Sequence, residues 1–163
     1  MQVLKERRQM KVLFVCLGNI CRSPMARVIL ERLYKDSGVD GTIDSCAVTD
    51  WNIGRPADER ARRVCKENGL DLGSHRARQI RSSDFYNFDL IVVMDRGNEQ
   101  AINRLRPADS LARVMKVTEF DNAISKSASD LEDPYHGDIN TFRTTYKKLD
   151  HLLSRFVKDL NRK

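Results

Sequence analysis

The clearest hydrophobic signal in the chain is the unbroken run Val12, Leu13, Phe14 and Val15, ending at Cys16. That is the pattern of a strand covered on both faces in a parallel sheet. From about Ser23 the period changes, and Met25, Ala26, Ile29, Leu30 and Leu33 recur at helical spacing until Ser37 and Gly38 supply a stop. Thr42 to Val48 reads as a second strand. Ala57, Ala61, Val64 and Cys65 mark a second helix, opened by Pro56 and closed by Asn68 and Gly69. Asp89 to Met94 is another buried strand, followed by a short helix over about Asn98 to Leu105 that must end before Pro107. Arg113 to Val117 is a fourth strand. Ile139, Phe142, Tyr146, Leu149, Leu153, Phe156 and Leu160 then share one face of a long helix, expected to pack on the sheet.

Strands alternating with helices over 163 residues predict one α/β layered domain with right-handed crossovers. Its ligand site should lie at the carboxyl ends of the strands, which is where Cys16 falls. Asn122 to Glu132, rich in Ser, Ala and Asp, is expected to be a long exposed loop leading to Asp133. An apolar fraction of 40% with 32% charged residues suits a soluble globular domain, and no apolar run reaches membrane-spanning length. Met1 to Met10 carries Lys5, Arg7 and Arg8 without an apolar core, so no secretory signal is expected and the cytoplasm is the default compartment.

Charge and cysteine content narrow the chemistry. Four cysteines, Cys16, Cys21, Cys46 and Cys65, are too sparse for a disulfide framework and read as free thiols, the last two as core. The net charge of +6 is broken up by acids such as Glu59, Glu67 and Asp71. With no nucleic-acid-binding signature and no membrane segment, it reads as a field that attracts anionic phosphoesters. His75, His136 and His151 lack ligand spacing, so neither a metal nor another cofactor is expected.

The informative segment is Val15-Cys16-Leu17-Gly18-Asn19-Ile20-Cys21-Arg22-Ser23-Pro24, between a buried strand and a helix start. A loop so placed aims backbone N–H groups and the positive end of a helix dipole at one point, which suits a phosphate dianion. Gly18 and Asn19 are residue types that tolerate unusual backbone angles, and Arg22 offers a planar fork for two phosphate oxygens. The same field stabilises a thiolate at Cys16 and makes it nucleophilic. Taken alone, each residue has a plainer reading: Cys16 as the apolar end of a strand, Ser23 as a helix N-terminal residue, and Asp133 as the turn residue of an Asp-Pro pair.

This ten-residue segment resembles the signature loop of low-molecular-weight protein tyrosine phosphatases. The likeness extends in order and position through the pair Ile53-Gly54 following Trp51, Ser74-His75-Arg76-Ala77-Arg78-Gln79, Val93-Met94-Asp95 and Asp133-Pro134-Tyr135. Residues 1–9 stand outside it as an extension to a domain spanning 10–163. The resemblance implies a three-layer fold with a four-stranded parallel sheet, and phosphotyrosine hydrolysis through a phosphocysteine intermediate. Cys16 would be the nucleophile, Arg22 the phosphate clamp and Asp133 the proton donor. Leu17, Gly18, Asn19, Ile20, Cys21 and Ser23 would form the substrate loop, with Trp51 and Tyr135 as aromatic walls. Ser23, Asn19, His75 and Asp95 would support the nucleophile and the loop.

Cys21 matches the family's second loop cysteine, which can pair with the nucleophile on oxidation. Tyr135 matches a position that can itself be phosphorylated, whereas His136 stands where a second aromatic often follows. The expected partners are phosphotyrosine proteins or peptides, with phosphate or another oxyanion in the loop. The chain is expected to be a monomer, with a weak dimer as the alternative.

Three rival readings differ at particular residues. A thioredoxin-linked arsenate reductase needs two further cysteines, and Ile80 to Leu105 contains none. An arginine phosphatase resembles the family but carries threonine at the position of Ile20, whose branched apolar side chain should favour a phenyl ring. A non-catalytic phosphopeptide-binding module would need neither the nucleophile nor the acid.

Overall fold

The computed structural model describes residues 9–121 and 129–162. Four strands, β1 (Val12–Cys16), β2 (Ile43–Ala47), β3 (Leu90–Val93) and β4 (Arg113–Lys116), form one parallel sheet in the order β2-β1-β3-β4. The apolar runs explain which strands sit inside: every residue of β1 and β3 is buried, as expected of parallel strands covered on both faces.

Alternation within β1 divides the core. Val12 and Phe14 join the cluster formed by α1 (Arg22–Ser37), α2 (Glu59–Glu67) and α5 (Ile139–Arg162). Leu13 and Val15 face Phe85, Phe88 and Ile102, beneath α3 (Asp84–Asn87) and α4 (Arg96–Leu105). Each fully buried side chain of this size contributes on the order of 1.5–3 kcal/mol, so the two clusters clamp β1 from both sides and hold its carboxyl end in place. The chain leaves β1 toward β2 on one side and returns to β3 on the other. The crevice at this reversal, beyond the ends of β1 and β3, is where such sheets bind ligands.

Several boundaries differ from expectation for local reasons. Helix α2 starts not at Pro56 but at Glu59, because the Asp58 side chain caps it by accepting from the Arg60 N–H at 2.8 Å. Helix α4 starts at Arg96, with Asp95 as its cap, accepting from the Asn98 N–H at 2.8 Å. Helix α3 was not anticipated; the fork of Arg78 holds it by donating to both carboxylate oxygens of Asp84.

Helix α5 packs as expected on one face of the sheet, sharing a core with Val12, Phe14, Leu90 and Val92, and runs beside α1. Of the segment expected to be a long exposed loop, residues 122–128 lie outside the described residues. Leu131 is buried rather than exposed, since its N–H donates to the Met94 carbonyl at 2.9 Å at the end of β3. Gly38 does end α1 as expected, in the left-handed conformation at φ 66°.

Candidate active site

The loop from Cys16 to Arg22 closes into a cradle because its carbonyls are turned outward, each to a named partner. The carbonyl of Cys16 accepts from Val48 N–H, and that of Leu17 from the N–H and hydroxyl of Thr49. The carbonyl of Gly18 accepts from Asn52 Nδ2, that of Asn19 from His75 Nε2, that of Ile20 from Asp58 N–H, and that of Cys21 from Met25 N–H. In a trans peptide the following N–H points the opposite way, so the N–H groups of Gly18 to Arg22 converge on the hollow. The Asn19 N–H reports this directly, donating to Cys16 Sγ at 3.3 Å. With α1 starting at Arg22, the helix dipole adds positive potential at the same point.

Asn19 holds the cradle's shape. It has φ 57°, the only positive φ of a non-glycine among the described residues, and its side chain is fully buried. The amide donates to Ser23 Oγ at 2.8 Å and to Ser45 Oγ at 2.9 Å, and its oxygen accepts from the Arg78 N–H at 3.1 Å. Because Ser23 Oγ already accepts from Asn19, its own proton is free for Cys16 Sγ, 3.0 Å away. Gly18 was expected to need an unusual φ; its φ is not positive. The requirement there is space, since a Cβ would lie 2.5 Å from Asn52 Nδ2.

His75 is buried and donates from Nε2 to the Asn19 carbonyl at 2.7 Å. Burial pushes its pKa below the ordinary histidine value, while the bond to Asn19 works the other way. Neutral imidazole suits a single donated bond to a carbonyl.

Arg22 is among the largest fully buried side chains, and its Nη1 donates to Asp95 Oδ2 and to the Leu131 carbonyl, each at 2.8 Å. Burial opposes its charge. The neighbouring Cys16 and the carboxylates of Asp95 and Asp133 outweigh that, so its pKa is raised and it stays cationic. Asp133 Oδ2 lies 3.6 Å from Arg22 Nη2, with its side chain 38% exposed. Its other oxygen accepts from the Tyr135 N–H at 3.1 Å, capping the short 3-10 turn Pro134–His136. Turn residue and acid are therefore compatible roles for Asp133, just as helix start and sulfur partner are for Ser23.

These groups line one cleft of about 250 Å³, walled by Cys16, Leu17, Gly18, Ile20, Cys21, Arg22, Trp51, Asn52, Asp133, Tyr135 and His136. Trp51 and Tyr135 are 67% and 47% exposed, apolar faces available to a flat ring. Of the expected site residues, Asn19, Ser23, His75 and Asp95 lie behind this wall. Burial, with Asp58 and Cys16 adding to it, pushes the Cys21 thiol far up and keeps it protonated. All four cysteines are free, with Cys46 and Cys65 in the core.

Sequence reasoning missed Asn52, Ser45, Asp58 and Arg60, and gave Arg78 no role. The polar Asn52 within the Trp51-to-Gly54 segment was the one usable signal. Among the described residues no group of three or more His, Cys, Asp or Glu is placed to hold a metal ion.

The family model described as low molecular weight phosphotyrosine protein phosphatase matches residues 11–163. A relative of that description from Schizosaccharomyces pombe is 40% identical, over 94% of this chain and 98% of its own length. A protein tyrosine phosphatase of Entamoeba histolytica, solved with Hepes in its active site, superposes with a TM-score of 0.86 at 31% identity, over 94% of this chain and 98% of that one. A Drosophila arginine phosphatase superposes at 0.82 with 33% identity, over 92% of this chain and 97% of its own. With one family model spanning nearly the whole chain, and a relative that matches it end to end, this protein belongs to the low molecular weight phosphotyrosine protein phosphatase family.

Proposed function

We propose that this protein hydrolyses phosphotyrosine in proteins or peptides, and aryl phosphates generally, through a phosphocysteine intermediate and without a metal. The observation that carries the proposal is that Cys16 and Arg22, neighbours in one loop, line one cleft together with Asp133 from a distant part of the chain, around a cradle of inward N–H groups. In the first step the Cys16 thiolate attacks phosphorus, the bond to the phenolic oxygen breaks, and Asp133 gives its proton to that oxygen. Phenol leaves and phosphocysteine remains. In the second step water attacks phosphorus, Asp133 takes a proton from it, and the phosphorus–sulfur bond breaks to release inorganic phosphate and the thiolate.

Arg22 and the loop N–H groups would neutralise the equatorial oxygens in both transition states, the part a metal plays in other phosphatases. The Ser23 hydroxyl, 3.0 Å from Cys16 Sγ, would stabilise the departing sulfur. Ile20 lines the cleft beside Trp51 and Tyr135, a setting that suits a phenyl ring better than a guanidinium. Free thiols fit a reducing compartment such as the cytoplasm, and the family match starting at residue 11 fits a short extension ahead of the domain.

Phosphate release from a phosphotyrosine peptide and a phosphoarginine peptide, with EDTA present, tests the proposal. Release from phosphotyrosine should be abolished in Cys16→Ser and reduced on the order of 10²-fold or more in Asp133→Ala. A preference for phosphoarginine would replace the substrate while keeping the mechanism. Binding without release from either peptide would refute catalysis.

A further inference from the structure

Asp133 is held in place by little of its own. More than a third of its side chain is exposed, and its polar contacts among the described residues are the Tyr135 N–H and the guanidinium edge of Arg22. Its position must come from the segment that bears it. That segment is tied at its upstream end, where Leu131 bonds to Met94 through its N–H and to Arg22 through its carbonyl.

Its downstream end is held by a residue that lines no part of the cleft. Arg60, in the first turn of α2, donates from Nη2 to the Tyr135 carbonyl at 3.0 Å and from Nη1 to the Gly137 carbonyl at 2.7 Å. The same guanidinium donates from Nε and Nη2 to the two carboxylate oxygens of Asp58, at 3.1 and 3.0 Å. Its Cζ lies over both rings, 4.3 Å from the Phe142 centroid and 5.7 Å from that of Tyr135. Asp58 in turn donates its N–H to the carbonyl of Ile20, in the phosphate loop, at 2.8 Å. One connected path therefore runs from the phosphate loop through Asp58 and Arg60 to the turn that carries Asp133.

We propose that Arg60 is a positioning residue for proton transfer by Asp133, setting the spacing between the acid's turn and the phosphate loop. This rests on the assignment of Asp133 as the acid. A planar fork suits the task because it bonds a carboxylate on one edge and carbonyls on another while stacking on an aromatic face. Lysine, a single point charge, cannot span these partners. Removing the fork frees the downstream end of the turn without touching the loop N–H groups, Cys16 or Arg22. Phosphate binding and attack on phosphorus then persist, and protonation of the leaving oxygen suffers.

Leaving-group dependence separates these cases. In Arg60→Met, kcat/KM for phenyl phosphate, whose oxygen needs a proton, should fall about tenfold to a hundredfold, the size expected when a catalytic group is misplaced by about 1 Å. For a dinitrophenyl phosphate, whose phenolate leaves unaided, it should be unchanged, as should inhibition by inorganic phosphate. Arg60→Lys should show the same pattern at smaller size, and Arg60→Met should add nothing in an Asp133→Ala background. Equal losses on both substrates, weaker phosphate inhibition, or full additivity with Asp133→Ala would overturn the proposal. If Asp133→Ala itself shows no leaving-group dependence, the assignment of the acid fails, and the positioning role falls with it for that distinguishable reason.

Discussion

Replacing Asn19 with alanine is the sharpest test of how the phosphate cradle is held. The substitution deletes three hydrogen bonds, those to Ser23, Ser45 and the Arg78 N–H. At about 1 kcal/mol each, they account for roughly 3 kcal/mol. Alanine must also keep the left-handed backbone at φ 57°, which costs about another 1 kcal/mol without a side chain that bonds locally. A total near 4 kcal/mol is a large part of the roughly 5–15 kcal/mol that stabilises a domain. For a chain of this size it corresponds to a fall in Tm of about 8–16 °C.

Urea denaturation and thermal melts of Asn19→Ala beside the parent protein read the loss directly. Phosphatase assays read its consequence, because Ser23 loses the neighbour that directs its proton to Cys16. Both stability and kcat should drop. A Tm within about 2 °C of the parent, less than 1 kcal/mol for this size, together with unchanged kcat, would refute the claim that this amide organises the loop.

Two further expectations follow from residues around the same loop. In Gly18→Ala the new Cβ displaces Asn52 and breaks its bond to the Gly18 carbonyl, so KM for an aryl phosphate should rise while Tm changes little; an unchanged KM would show that Asn52 does not hold the loop. His75 has a folded pKa below its unfolded value, so the unfolded state binds the proton more readily, and His75 stabilises the fold above about pH 6.5 and less as pH falls through that value. Urea midpoints between pH 7.5 and 5.5 should therefore vary less in His75→Gln than in the parent, and equal slopes would remove His75 from the acid sensitivity.

The sheet was legible because β1 and β3 are continuous apolar runs, and α1 and α5 because their apolar residues keep helical spacing over several turns. The proposed phosphate loop was legible because its residues are local: Cys16, the left-handed Asn19 and Arg22 fall within a few positions of one another. What stayed hidden works across long sequence distances and through backbone atoms. Arg60 acts on carbonyls 75 and 77 positions away, and Arg22 on that of Leu131 109 positions away. Any residue type offers a carbonyl, so no side-chain pattern marks these partners. Leu131 was misjudged for the same reason, because a polar stretch of sequence conceals one apolar residue whose backbone docks on the end of β3. Helix α3 is a single turn, too short for periodicity, and it owes its place to the Arg78–Asp84 fork.

The outward carbonyls of the phosphate loop separate two properties that usually travel together, order and protection. Elsewhere in the fold an amide is shielded from water because it is bonded to another part of the chain. Here the backbone is pinned from outside by its oxygens, while the N–H groups of Gly18, Ile20, Cys21 and Arg22 face an open hollow. The loop can be as rigid as the strand before it and still trade its amide protons with solvent. An arriving oxyanion then meets donors that need not be rearranged to receive it.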